Sequence, residues 1–198
     1  IVIIRRDPAI TVPDFELLSL PEAMIATIPE TSALPKIPMP LARLARALCR
    51  GGGPYRLVYS EIADCVDVLI GLTEGPPAGA PASPEWEHLP DDGRQPLDTP
   101  WTTVSWDSVV TRAPWNDAVA SEGEVVVLHD HVPSLLNRLG ATLWRLSSDR
   151  MSVAELHTRV VEDLGEHPRS NALVLEALQG LVDGGMMQIV DDPAAADR

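Results

Sequence analysis

The last third of the chain constrains the fold most. From about Ala118 to Ile189 the sequence reads as three strands followed by three short helices, closed by Gly184-Gly185 and a short apolar tail. Asp117 to Ser121 is the first expected strand, and Glu122-Gly123 supplies a tight turn. Glu124 to Leu128 is the second. Its run Val125-Val126-Val127 suits a pleated surface, because β-branched side chains are stiff and pack well there. His129-Asp130-His131 turns the chain, and Val132 to Leu136 is the third strand. A Leu136-Asn137 step then ends the extended run, and helix one follows over about Leu139 to Ser147. Ser152-Val153-Ala154-Glu155 has capping-box spacing and opens helix two, whose stripe is Val153, Leu156, Val160 and Leu164, with Gly165 as its stop. Ser170 or Asn171 caps helix three, which carries Leu173, Val174, Leu175, Leu178, Leu181 and Val182. Met186 to Val190 can return as a short strand, or wing.

Upstream the signals are shorter. Ile1 to Ile4 is an apolar run suited to a strand, and Phe15 to Leu20 is another candidate. Prolines at 21, 29, 35, 38 and 40 exclude a long helix between them. Pro40 suits a first helical turn. Leu41, Leu44, Ala45 and Leu48 follow at helical spacing until Gly51-Gly52-Gly53-Pro54 stops them. Tyr55 to Tyr59 alternates like a strand, and Ser60 can cap a helix with the stripe Ile62, Val66, Leu69 and Ile70, ending near Gly71. Residues 73–100 are rich in Pro, Ala, Gly and Ser, a composition from which a packed fold is hard to build. Trp86, Trp101 and Trp106 argue against full disorder, and the segment reads as an arm laid over a surface and pinned by its indoles. The expected organisation is therefore α+β. It comprises a small mixed α/β region over 1–72, a Pro- and Trp-rich connecting arm over 73–108, and a C-terminal winged helix-turn-helix over 109–198 with a three-stranded antiparallel sheet and three helices.

Charge and composition exclude several classes. The net charge of −14 divides evenly between residues 1–108 and 109–198, and Lys36 is the single lysine. Nucleic acid is disfavoured as a partner, since affinity for phosphate backbones comes mainly from Lys and Arg. Cys49 and Cys65 are too few for a disulfide framework and lack the paired spacing of a zinc site, so both read as reduced thiols. No run of 18 apolar residues offers a membrane span, and the N-terminus lacks a signal-peptide layout, so a cytoplasmic location is expected. His129 and His131 flank Asp130 without a visible third ligand, and read as a polar turn. Gly51-Gly52-Gly53 has no Gly-Lys-Ser/Thr after it and ends a helix, so it is a loop and no phosphate cradle. No Ser-His-Asp, Cys-His or close carboxylate pairing can be argued from His88, His129, His131, His157 and His167. No catalytic residue, metal or cofactor is expected.

The order of the C-terminal motifs resembles the PqqD-like family, also called the RiPP recognition element, over about residues 118–189. RiPPs are ribosomally made peptides modified after translation. The resemblance rests on Val125-Val126-Val127-Leu128, on Leu136-Asn137-x-x-Gly140-Ala141-x-x-Trp144-x-Leu146, on Ser152-Val153-x-Glu155-Leu156, and on Val174-x-x-x-Leu178-x-x-Leu181-x-x-x-Gly185-Met186-Met187. It implies a mechanism: the leader segment of a precursor peptide adds as an extra strand beside the third strand and packs into a groove against helix three. The analogous residues are Val132, Ser134, Leu135 and Leu136 on the strand, and Leu175, Leu178, Gln179 and Val182 on the helix. The implied partners are a precursor peptide and a separate modifying enzyme in a heteromeric complex, with the N-terminal region and the Trp86, Trp101 and Trp106 arm docking on that enzyme. Two features depart from the pattern. Pro133 lies inside the third strand and cannot donate a ladder bond, and about 100 residues precede the module, where free-standing members are often little more than the module itself.

Bland readings stand beside these. The helix-three leucines also suit a core, Trp144 suits a core, and Asn137 suits a helix cap. A winged helix could serve as a DNA-binding regulator, but helix three carries no Lys or Arg and does carry Glu176 and Asp183. The chain could instead be an accessory subunit lending residues such as Asp64 or Asp67 to a partner's active site, or a structural adaptor whose module docks protein in place of leader.

Overall fold

The structure, a computed structural model, describes residues 1–31, 37–50, 52–75, 83–99 and 102–191. The fold is mixed α+β, and the chain divides into two compact units, Ile1–Leu89 with Val119–Glu122 and Pro90–Ala118 with Gly123–Arg198.

In the first unit β1 (Val2–Arg6) and β2 (Asp14–Leu17) flank β3 (Tyr55–Tyr59), which runs parallel to β1 and antiparallel to β2. Phe15 stacks on Tyr55 diagonally across β2 and β3 at 4.9 Å. The second candidate strand ends at Leu17 because the next residues start a helix that the proline count had hidden. In α1 (Leu20–Thr27), Pro21 sits in the first turn, where its missing N–H costs nothing. Ser19 caps that helix, accepting from the Glu22 amide at 3.3 Å, while Glu22 Oε2 accepts from the Ser19 amide. Leu20, Ala23 and Met24 of α1 pack in the core with Leu41, Leu44, Ala45 and Leu48 of α2 (Pro40–Leu48). Gly53 has φ +114, and a Cβ there would lie 2.9 Å from Leu17 Cδ1, so this position two residues before β3 must be glycine. The helix expected from Ser60 begins instead as a 3₁₀ turn, Ile62–Cys65, and continues as α3 (Val66–Glu74), past Gly71. The tighter winding of the 3₁₀ turn rotates the stripe, so Cys65 is buried and Ile62, Val66 and Ile70 are exposed. β4 (Trp86–Pro90) lies within the stretch read as an arm.

The second unit contains β5 (Val109–Arg112), the hairpin β7 (Glu124–His129) and β8 (Val132–Leu136), then α4 (Arg138–Leu146), β9 (Met151–Ser152), α5 (Val153–Leu164), α6 (Ser170–Asp183) and β10 (Met187–Asp191). β6 (Asp117–Ser121) straddles the division between the units. Asn137 caps α4, its Oδ1 accepting from the Gly140 amide at 3.0 Å. Ser152 caps α5, but the reciprocal half of the box is absent, because Glu155 pairs with Arg159 one turn on at 2.7 Å. Neither Ser170 nor Asn171 caps α6, whose flanking residue is Arg169, without a side-chain cap bond. Trp144 is the largest fully buried side chain among the described residues, packed edge-on against Trp115 at 5.0 Å, and Leu143, Leu156, Val174, Leu178 and Ile189 are buried in the same unit.

The strand count corrects the expectation of one three-stranded sheet in the C-terminal part. Among the described residues two sheets take its place, one of four strands in the order β4-β6-β7-β8 and one of three in the order β10-β5-β9. β5 is too short to stand out in sequence, and β9 is two residues that also open α5. β5 lies between the other two strands, with Met187 of β10 opposite Arg112 and Met151 of β9 opposite Val110.

Candidate functional site

The feature with binding potential is the outer margin of β8. β7 pairs with one side of β8, in the register Val125↔Leu136, Val126↔Leu135, Val127↔Ser134, Leu128↔Pro133 and His129↔Val132, and no described strand pairs with the other side. Asp130 and His131, at φ 45 and 65, form the turn. Two successive positive φ values make a two-residue hairpin loop, which closes on a hydrogen-bonded pair, here His129–Val132. Bonded and non-bonded pairs alternate along an antiparallel ladder, so Leu128–Pro133 and Val126–Leu135 are the non-bonded pairs. The backbone of Pro133 and Leu135 therefore points away from β7, and that of Ser134 and Leu136 toward it.

This register explains Pro133. Its missing N–H falls on the outward side, where β7 needs no donor. The open margin thus presents the Pro133 carbonyl and both the N–H and the carbonyl of Leu135. A sequence reading could place a proline in this strand but not decide which way it faced. The hairpin register decides it.

Side chains alternate with the backbone. Leu136 is buried at 5% exposure, while Val132 at 61% and Leu135 at 39% are among the exposed large apolar residues, and Pro133 and Ser134 are half-buried. The end of the hairpin meets the end of α6: a Cβ on Gly185 would lie 3.0 Å from His129 Cε1, so the ring fills the space above that glycine. On α6, Leu175, Gln179 and Val182 are half-buried at i, i+4 and i+7 spacing, and Leu178 is fully buried at 0%. Leu178 is therefore a core residue, the alternative its spacing left open.

Gln179 is already engaged. Its Oε1 accepts from the Val104 amide at 2.9 Å, and its Nε2 donates to the Thr102 carbonyl at 2.9 Å and to Asp183 Oδ1 at 2.7 Å. One carboxamide reads the donor and acceptor of an extended backbone two residues apart, so residues 102–104 lie along this flank of α6.

Among the expected docking indoles, Trp86 is half-buried on β4 and Trp106 is half-buried with its ring edge-on to His157 at 5.4 Å, while Trp101 lies outside the described residues. His157 Nε2 is 3.1 Å from Ser170 Oγ, beside a cavity of about 500 Å³ that includes Glu166 and His167. The sequence gives no sign of this pair, because residues separated by 13 positions with no nucleophile signature around them do not announce a contact. Among the described residues no carboxylate bonds the other imidazole nitrogen, so the pair lacks the orienting third group of an activated nucleophile. Asp64 and Asp67 are exposed, and no group of three or more His, Cys, Asp or Glu is placed to hold a metal ion among the described residues. Burial raises the Cys49 thiol, and burial with the nearby Asp64 carboxylate raises that of Cys65; both cysteines are free. No described helix is long and apolar enough to cross a membrane.

Comparison with known proteins finds no matching family model, no matching curated protein and no matching solved structure.

Proposed function

We propose that the second unit binds an extended peptide as an additional strand on β8, in the manner of the PqqD-like family, and that the chain presents this peptide to a separate modifying enzyme. The peptide is the leader segment of a ribosomally made precursor. In this reading β6, β7 and β8 with α4, α5 and α6 are a winged helix-turn-helix put to peptide capture. One observation carries the reading: the unpaired margin of β8, with Val132 and Leu135 exposed beside it. The backbone supplies sequence-tolerant hydrogen bonds, and Val132 and Leu135, on opposite faces of the strand, supply choice among leaders together with Leu175 and Val182 of α6. Gln179 enters the site only if residues 102–104 move, so the leader contacts assigned to the helix reduce to Leu175 and Val182, with Leu178 supporting them from the core.

A binder of this kind acts by raising the local concentration of substrate at a catalyst it docks on, and the N-terminal unit, with Trp86, supplies the docking surface. The chemistry then belongs to the partner enzyme. The test is fluorescence polarisation with synthetic leader peptides taken from short reading frames beside this gene. Saturable binding that Val132→Asp removes supports the reading, and absence of binding across such peptides refutes it. A DNA-binding role has less support, because α6 would carry Glu176 and Asp183, both exposed, toward phosphate and has no Lys or Arg.

A further inference from the structure

Although the chain is strongly acidic, three arginines meet at one place in its second unit. A cavity of about 240 Å³ is lined by Arg94, Arg112 and Arg150, with Thr111, Gln188 and Asp149. Arg112 leaves β5 and lies over two indoles, 4.7 Å from the Trp144 centroid and 5.1 Å from that of Trp115. Its Nε is buried and has no hydrogen-bond partner, as has the neighbouring Trp144 Nε1, and no ion pair is formed by Arg112 among the described residues. A guanidinium can be buried so only if its charge finds an acceptor or is tolerated at a cost. Burial lowers the pKa of Arg112, and repulsion from Arg94 and Arg145 lowers it further, while Asp92 and Asp149 pull the other way.

The second arginine is fixed in place. Arg94 Nε donates to Asp92 Oδ2 at 2.7 Å, Nη1 to Thr111 Oγ1 at 2.9 Å, and Nη2 to the Ser148 carbonyl. Its side-chain entropy is already lost before any ligand arrives. Gln188 Oε1 accepts from the Leu97 amide at 3.1 Å, which leaves its Nε2 as a further donor at the cavity. Arg150 has no hydrogen bond or ion pair among the described residues. The lining therefore offers three cations against the carboxylate of Asp149, with Asp92, outside the lining, already paired to Arg94.

We propose that this cavity is a receptor for a small doubly charged oxyanion, a phosphoryl group, held by Arg94, Arg112 and Arg150. The residues fit that class for two reasons. All three cations are arginines, whose planar forks match phosphate oxygens in pairs, and even with Asp92 and Asp149 both counted against them a net positive charge is left to meet the charge of about −1.5 to −2 on a phosphate monoester. The volume, below the roughly 300–1,000 Å³ of ordinary small-molecule pockets, takes one such group and little more. None of these residues is on β8 or α6, so the proposal stands or falls apart from peptide capture.

Isothermal titration of the full chain with inorganic phosphate, and separately with acetate, tests it. The wild type should bind phosphate saturably with a Kd at or below about 1 mM, and acetate at least about tenfold more weakly. Arg112→Gln and Arg150→Gln should each weaken phosphate binding about tenfold, and Asp149→Asn should tighten it about fivefold by removing the opposing charge that lines the cavity. Arg112 packs on the core indoles, so circular dichroism accompanies its titration; if that variant unfolds, Arg150→Gln and Asp149→Asn decide. No saturable heat with phosphate up to about 20 mM, equal affinity for acetate and phosphate, or phosphate affinity unmoved by Arg150→Gln and Asp149→Asn would overturn the proposal.

Discussion

Leu135→Pro separates the two sides of β8. The hairpin register places the Leu135 N–H outward, so proline there deletes no bond to β7 and keeps the strand dihedrals that its neighbours already have. It does delete the one outward N–H of the margin, since Pro133 has none to offer. One net hydrogen bond is worth about 0.5–1.5 kcal/mol. Leu135 is 39% exposed, so covering the rest of it with a peptide is worth roughly 0.6–1.2 kcal/mol, that fraction of the 1.5–3 kcal/mol for full burial of such a side chain. Losing the bond and part of the contact gives about 1–2.5 kcal/mol, or roughly a 5- to 70-fold weaker Kd. Polarisation with a labelled leader measures this, and thermal melting should show little change. Ser134→Pro is the control. Its N–H points to β7, so it should lower the melting temperature markedly, at a cost of about 1–3 kcal/mol for a broken ladder bond and an unsatisfied acceptor. If Leu135→Pro melts the fold and Ser134→Pro leaves it intact, the register derived for β8 is inverted and the open margin is misplaced.

Leu178→Asp should unfold the second unit, because it puts a carboxylate where the side chain is 0% exposed, whereas Val182→Asp should stay folded and lose peptide affinity; far-UV circular dichroism and polarisation distinguish them. Asn137→Ala should cost about 1 kcal/mol of stability by denuding the Gly140 amide, read from chemical denaturation midpoints. Iodoacetamide at pH 8 should leave Cys65 unlabelled in the native protein and label it after unfolding, since its raised pKa keeps the thiol protonated and its burial blocks access. Random duplex DNA at low salt should not shift in a gel; a shift would revive the DNA-binding alternative to peptide capture.

How much was legible in the sequence depended on how local each signal was. The hairpin and its turns could be read because Glu122-Gly123 and the Val125-Val126-Val127 run announce themselves within a few residues, and β6 and β8 begin and end where their residues suggested. The Asn137 cap is local in the same sense. β5 and β9 were not legible, because a four-residue and a two-residue strand have no pattern of their own and exist through partners 40 or more positions away. α1 is masked by the recurring prolines, although Pro21 falls in its first turn, where proline is tolerated. The exposure of Ile62, Val66 and Ile70 is not legible, since helical spacing gives no sign of the 3₁₀ start at Ile62–Cys65. The flank of α6 was misjudged at Gln179, because nothing near that glutamine says that Thr102 and Val104 will meet it. The cavity of Arg94, Arg112 and Arg150 escaped notice because its residues come from β5, the segment ahead of it and the loop before β9, and net charge conceals local charge.

Amide hydrogen exchange of Leu135, followed by NMR with and without a leader peptide, measures the central claim at one atom. The account predicts fast exchange at Leu135 in the free protein, slow exchange at Ser134 and Leu136, and strong protection of Leu135 once peptide is added. Protection at Leu135 before any peptide is present, or its continued fast exchange in a saturated complex, would contradict capture along this strand.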